Sequence, residues 1–235
     1  MIETNLVRRT AADDIADMLR CWMRGGIMGP GDRLPAEREL AVILGVGRIT
    51  LRAALAELQA EGYLDVRRGA RGGNFVTALD RPFRRWLNTM RRDLPGLHDL
   101  IDFRIGVERQ LATLATRRAT SDDLRQLTAA VVEMSEAGDA EGHRRAEHEF
   151  HQALAAAAGS DRMAHAAADA RGEMFISMRP RSDREGRERS LHIHVELLRA
   201  IQLGDERAAA DGLELELEEA RARLVGLLTP VPKRR

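Results

Sequence analysis

The side chains in this sequence whose type and spacing best suit a chemical task are arginines near its start. Arg48 and Arg52 stand four apart in a stretch of helical periodicity, so they share one helix face. A guanidinium fork pairs bidentately with guanine O6 and N7. The first turns of a helix laid in the major groove present side chains to base edges, and Gly47, Arg48, Thr50 and Arg52 hold those positions. Arg38, on the preceding helix, has the reach for a phosphate or a base. Arg67, Arg68 and Arg71 cluster around Gly69, where a glycine-rich tip lets backbone approach the sugar-phosphate or the minor groove. Taken singly, each arginine fits equally well as half of an ion pair on a solvated face. Taken together, they outline a surface for double-stranded DNA.

Such a surface needs elements to hold it. Ile15, Met18, Leu19 and Trp22 lie at helical spacing, so 10–23 reads as a helix, with Thr10 as N-cap and Asp13 and Asp14 in its first turn. Gly25 and Gly26 end it. A short helix follows over 36–44, stopped at Gly45, and a second over 47–60, stopped at Gly62. Two helices joined by a glycine turn form a helix-turn-helix. Strand alternation over 63–66, a glycine-rich loop, and a return over 74–76 predict a hairpin with a loop longer than two residues. Helix-turn-helix plus hairpin is a winged helix. Residues 79–96 form an Arg-rich connector ending at Pro95-Gly96. Beyond it the pattern is helical throughout, with helices at 97–118, 122–137, 140–158, 161–178, 188–203 and 206–228. Ser121 and Asp205 serve as N-caps, and Gly138, Gly159 and Gly204 mark breaks. Amphipathic helices with short loops build an antiparallel bundle. The fold class is therefore mainly α: an N-terminal winged helix-turn-helix (three helices plus a β-hairpin), then an all-α bundle. The division is 1–78 for DNA binding, 79–96 as connector, 97–229 as bundle and 230–235 as a disordered tail.

Composition agrees with this plan. The 235 residues are 44% hydrophobic and 31% charged, enough to bury a core. Aromatics are only 3%, so Leu, Ala, Val and Met must fill it. The 37 basic and 37 acidic side chains cancel, but unevenly: the first 95 residues carry a basic excess and the remainder an acidic one. No apolar run reaches the roughly 20 residues that cross a bilayer, and acids at Glu3, Asp13 and Asp14 argue against a signal peptide. A lone cysteine, Cys21, excludes an intramolecular disulfide and a thiolate zinc cluster, and suits the cytoplasm.

The run from Pro30 to Ala41 (PGDRLPAERELA) resembles the signature of GntR-family winged-helix regulators. So do Leu44-Gly45-Val46-Gly47-Arg48, Leu51-Arg52-Ala53-Ala54-Leu55, Glu61-Gly62-Tyr63 and the stretch from Arg68 to Val76. The resemblance covers about residues 8–77. It implies operator contacts by Arg38, Arg48 and Arg52, with the wing near Gly69 approaching the minor groove. Three positions depart from the family pattern: Gly47 stands where Ser is usual, Thr50 for Pro, and Ala53 for Glu. The missing serine removes a phosphate contact.

The second half resembles the FCD type of effector domain found in the FadR subfamily. The matching pieces are residues 100–104 (LIDFR) with Glu108, Phe150-His151 with Leu154, and His194 with Leu198, Ala200-Ile201 and Gly204-Asp205. Many relatives hold a divalent metal through one Asp and three His, with a small organic acid beside it. By alignment those four positions here are Glu147, His151, His194 and Glu216, and the acid's arginine is Arg104. Glu147 and His151 are i, i+4 on one helix face, a sound chelating pair. Two imidazoles and two carboxylates can hold Zn, Mn, Fe or Ni. Two of the four ligands differ from the family's set, however. The competing reading is a metal-free pocket, with Glu216 on the solvated face of the acidic run 214–219 and Arg104 paired internally with Glu108. His143, His148, His165 and His192 read as ordinary helix residues.

The resemblance implies a homodimeric regulator, a repressor or else an activator, that binds operator DNA and responds to a small carboxylate effector; cysteine usage and the lack of a long apolar run place it in the cytoplasm, away from a membrane. A constitutive dimer without effector is the first alternative. A metal-dependent hydrolase or lyase built on Glu147, His151 and His194 is the second. Against the enzyme stand the absence of HExxH, of a phosphate-binding glycine loop and of a nucleophile elbow.

Overall fold

The computed structural model describes residues 10–69, 72–175 and 184–228. Arg71 and the tail at 230–235 therefore lie outside the described residues, as does the expected helix beyond 175. Helix α1 (Ala11–Gly25) begins with a reciprocal cap: Thr10 Oγ1 accepts the Asp13 N–H, and the Asp13 carboxylate accepts the Thr10 N–H. Its buried face carries Ile15, Leu19 and Met23. Arg20 then fixes α1 to the third helix by pairing with Asp17, Glu57 and Glu61 together.

Helices α2 (Glu37–Ile43) and α3 (Arg48–Glu61) form the predicted pair. Gly45 takes φ +64° in the turn, and the N–H groups of Gly45 and Val46 donate back to Val42 and Ala41. A side chain at that φ would be strained. Strands β1 (Leu64–Arg67) and β2 (Gly73–Val76) pair antiparallel, with Leu64 opposite Val76 and Arg67 opposite Gly73. The segment before α2 lies along the free edge of β2: Leu34 N–H donates to Asn74 O, and Val76 N–H to Asp32 O, both at 2.9 Å. The wing is thereby held against the helix-turn-helix.

The connector is itself a helix, α4 (Asp80–Arg92). Thr77 Oγ1 accepts the Leu79 N–H and donates to Gly62 O, which sets the turn into it. The break expected at Pro95-Gly96 is instead the first turn of α5 (Leu94–Arg118), capped by Asp93 accepting from Gly96 N–H. Proline is tolerated there because its missing N–H would have had no helical partner. The bundle continues with α6 (Ser121–Glu136), α7 (Ala140–Ala158), α8 (Asp161–Glu173), α9 (Arg184–Leu203) and α10 (Glu206–Leu228). Thr120, not Ser121, caps α6, because Thr120 is the residue that pairs reciprocally with Asp123. Helix α9 starts four residues earlier than the pattern predicts, stabilised by Arg184–Glu188 and Glu185–Arg189 pairs. No described helix is long and apolar enough to cross a membrane.

Two apolar cores result. One joins α6, α7, α9 and parts of α5, α8 and α10 around Phe150, Leu127 and Leu213. The other fills the winged helix and does not stop at its edge: Trp86, Leu97, Ile101, Met174, Phe175, Leu224 and Leu228 belong to it. The winged helix thus sits on one end of the bundle with a shared core. Leu58 is fully buried in that core. Leu58→Ala should cost about 2–5 kcal/mol in urea unfolding, by lost transfer energy plus cavity. A loss no larger than that of a surface substitution would contradict the packing.

Candidate functional site

The face expected to meet DNA is assembled by α2, α3 and the wing. Gly47 precedes α3, so Arg48 is its first helical residue and projects from the end that would meet base edges. Arg38, Arg48 and Arg52 are exposed and Thr50 is half-buried. Arg52 Nε donates to Glu37 Oε2 at 2.8 Å, so α2 anchors that guanidinium while its side chain stays exposed. The hydrogen bond from Arg52 to Glu37, and then the ion pair, raise the Arg52 pKa. Gly69 takes φ +102° at the wing tip, and the Arg67 guanidinium lies 4.1 Å over the Phe75 ring. One feature of this face went unread in the sequence: Ile49, the second residue of α3, is 87% exposed, with Val42 and Ile43 also exposed at the end of α2. Such methyl groups suit thymine methyls. The signal available was an apolar residue out of phase with Leu51, Ala54 and Leu55.

Inside the bundle, α7, α9 and α10 bring the four aligned residues together. Glu147, His151, His194 and Glu216 are all buried, and one ligand atom from each lies within 4.8 Å of the others. Tetrahedral coordination at about 2.0–2.2 Å sets donors roughly 3.3–3.6 Å apart, so the cluster is close to metal-sized. His194 Nδ1 lies 2.8 Å from Ser190 O, which sets it as the N–H donor there, and Nε2, with no hydrogen bond, stands 3.9 Å from Glu216 Oε2. His151 Nε2 is 3.4 Å from the same oxygen. Burial first, then Arg171, lowers the His151 pKa against the opposing pull of Glu216 and Glu108, favouring the neutral imidazole that metals bind. The residues fit a divalent ion. Glu216 is 1% exposed, so it is not part of a solvated face.

A second layer surrounds this cluster. Arg104 is fully buried and donates through Nε to Glu108 Oε1 at 2.8 Å. Burial would raise the Glu108 carboxyl, but Arg104, Arg171 and His151 outweigh it and hold it below its ordinary value. Beside the cluster opens a cavity of ≈ 1330 Å³, walled by α7 and α8 on one side and by α1 of the winged helix on the other. His151, Glu108 and Arg171 stand on its wall, and so do His148 and His165, which read as ordinary helix residues in the sequence. Burial, with Arg171 and His151 nearby, pushes His148 down to about 4. Arg104 is not on that wall.

Comparisons with known proteins agree with both halves. The model of bacterial regulatory proteins of the gntR family matches residues 11–75, and the FCD domain model matches residues 99–218. The HTH-type transcriptional regulator RmpR of Mycobacterium gastri is 31% identical over 92% of this chain and 80% of its own length. The L-lactate dehydrogenase operon regulatory protein of Escherichia coli is 35% identical over 63% of this chain and 59% of its own. Among solved structures, E. coli McbR/YncC aligns over 94% of this chain and all of its own, with TM-score 0.55 at 19% identity. A GntR regulator from Rhodococcus sp. RHA1 aligns over 92% of this chain and 97% of its own, with TM-score 0.51 at 23% identity. These two share the fold.

The exposed arginines should divide by role. Arg48→Ala should cost about 1–3 kcal/mol of DNA affinity and relax preference at one base position. Arg68→Ala should weaken all sequences alike and flatten the salt dependence. Fluorescence anisotropy on selected DNA at several salt concentrations measures both. Unchanged affinity and preference in Arg48→Ala would contradict this placement.

Proposed function

The chain belongs to the GntR family of bacterial regulatory proteins, with an FCD domain as its second half, and we propose that it is a homodimeric repressor whose operator affinity is set by a small organic acid bound beside a divalent metal ion in the bundle. Membership in that family makes it a DNA-binding transcriptional regulator and not an enzyme. The finer reading rests chiefly on one observation: two guanidiniums, three carboxyl groups and two imidazoles are buried together in the bundle, and three of them, Glu108, His151 and Arg171, reach the cavity wall. Such a cluster is costly unless it is completed by counter-charge. Counted formally, its side chains leave one negative charge in excess. A divalent ion would turn that into one positive charge, and a carboxylate would balance it.

Glu147, His151, His194 and Glu216 would hold the ion, which supplies positive charge to the acid's oxygens. Ser190 O fixes the His194 tautomer for that purpose. The name of the E. coli relative directs attention to acids of lactate size. Two winged helices of a dimer would read the half-sites of a pseudo-palindrome, inside the cytoplasm where the chromosome lies. The acid acts only so far as it binds one arrangement of the two heads better than the other.

The test is thermal unfolding and operator anisotropy in excess Zn²⁺, with acetate, L-lactate, succinate and gluconate in turn. One acid should raise the melting temperature and change operator affinity roughly 5- to 150-fold. If neither the metal nor any acid moves either quantity, the bundle serves dimerisation alone and the protein is constitutive.

A further inference from the structure

Arg104 is committed internally. Its Nε and Nη2 both donate to Glu108 Oε1, and its Nη1 donates to Met174 Sδ at 2.8 Å. Arg171, on α8, is placed differently. Its side chain is 9% exposed, it stands on the cavity wall, and its Nη1 makes no hydrogen bond. Glu108 Oε2, at 3.6 Å, is likewise without a hydrogen bond. A buried guanidinium with an unsatisfied donor is costly, and its fork matches a carboxylate bidentately. Resting on the reading that this bundle binds a small acid, we propose that Arg171 receives the acid's carboxylate and that residues 171–175 carry its occupancy to the DNA-binding unit.

The four residues after Arg171 are each fastened to something beyond the cavity. Gly172 meets α1 so closely that a Cβ there would stand 2.6 Å from Cys21 Cβ. The Glu173 carbonyl accepts the Trp86 indole N–H at 2.8 Å, tying α8 to α4. Met174 is buried in the winged-helix core and also touches Arg104. Phe175 is held at φ +50°, a conformation a bulky side chain keeps only when its neighbours over-determine it. Those neighbours are the Tyr63, Phe83 and Trp86 rings, with centroids at 6.2, 5.5 and 6.1 Å, and the Arg24 guanidinium at 5.3 Å. A shift of Arg171 toward an incoming anion therefore displaces the end of α8, and α1 and Trp86 follow.

Both tryptophans report on this seam: Trp22 lines the cavity, and Trp86 bonds to Glu173. The experiment titrates the full-length protein in excess Zn²⁺ with acetate, L-lactate, succinate and gluconate, reading tryptophan emission and operator anisotropy. The acid that moves wild type should bind at least about tenfold more weakly to Arg171→Gln, the loss of a charged, bidentate contact, and Arg171→Lys should recover part of that. Gly172→Ala keeps the arginine but wedges α8 off α1. It should bind the acid, yet differ from wild type in operator affinity by roughly 5- to 150-fold. Acid affinity unchanged in Arg171→Gln overturns the role of Arg171 alone. If that variant does not fold, unchanged affinity in Arg171→Lys overturns it equally. Wild-type operator affinity in Gly172→Ala overturns the coupling. Silence of wild type toward all four acids overturns the effector reading and this assignment with it.

Discussion

Burying charge is the constraint around which this molecule is arranged. Five helices each send at least one ionisable side chain to the same interior point: Arg104 and Glu108 from α5, Glu147 and His151 from α7, Arg171 from α8, His194 from α9 and Glu216 from α10. Desolvating such groups costs several kcal/mol per ion before any pairing is counted. The apolar cores on either side must supply that stability. They also fix the cluster, since Phe150 packs edge-on against both His151 and His194 at 6.0 and 4.9 Å.

The same constraint explains where the DNA-binding unit sits. The cavity beside the cluster is closed on one side by α1, not by a further bundle helix. The end of α8 lies in the core of the winged helix, and α4 packs its buried Trp86 against it. With the cavity and the winged helix sharing a wall, no long relay is needed between them. On the proposed reading, an occupant of the cavity and the head compete for, or cooperate over, the placement of one helix end.

Much of this was legible in the residues. Thr10, Gly45, Gly47 and Gly62 punctuate the winged helix where their cap and turn chemistry says they should. The i, i+4 spacing of Glu147 and His151 survives as a buried pair. What hid was periodicity beneath charge. In α4, Phe83, Trp86, Leu87 and Met90 repeat at helical spacing, but five arginines in the expected connector masked the stripe. Glu216 lies in an acidic run, yet Leu213, Leu217 and Ala220 share its face, and all are buried. Arg171 follows Ala167 and Ala170 in the same way. Each is a polar residue on an apolar stripe, and only the packing of neighbouring helices turns such a residue inward. Pro95 misled for the opposite reason: it marks a helix start as readily as an end.

The account rests on the buried cluster being completed by a cation. Elemental analysis of purified, untagged protein, repeated on His151→Ala and His194→Ala, tests that most directly. The account predicts close to one divalent transition metal per chain in wild type, lost in both variants while the winged helix still binds DNA. Metal-free wild type after soaking in zinc, manganese and nickel would contradict it, and would leave the three glutamates balanced by Arg104 and Arg171 alone.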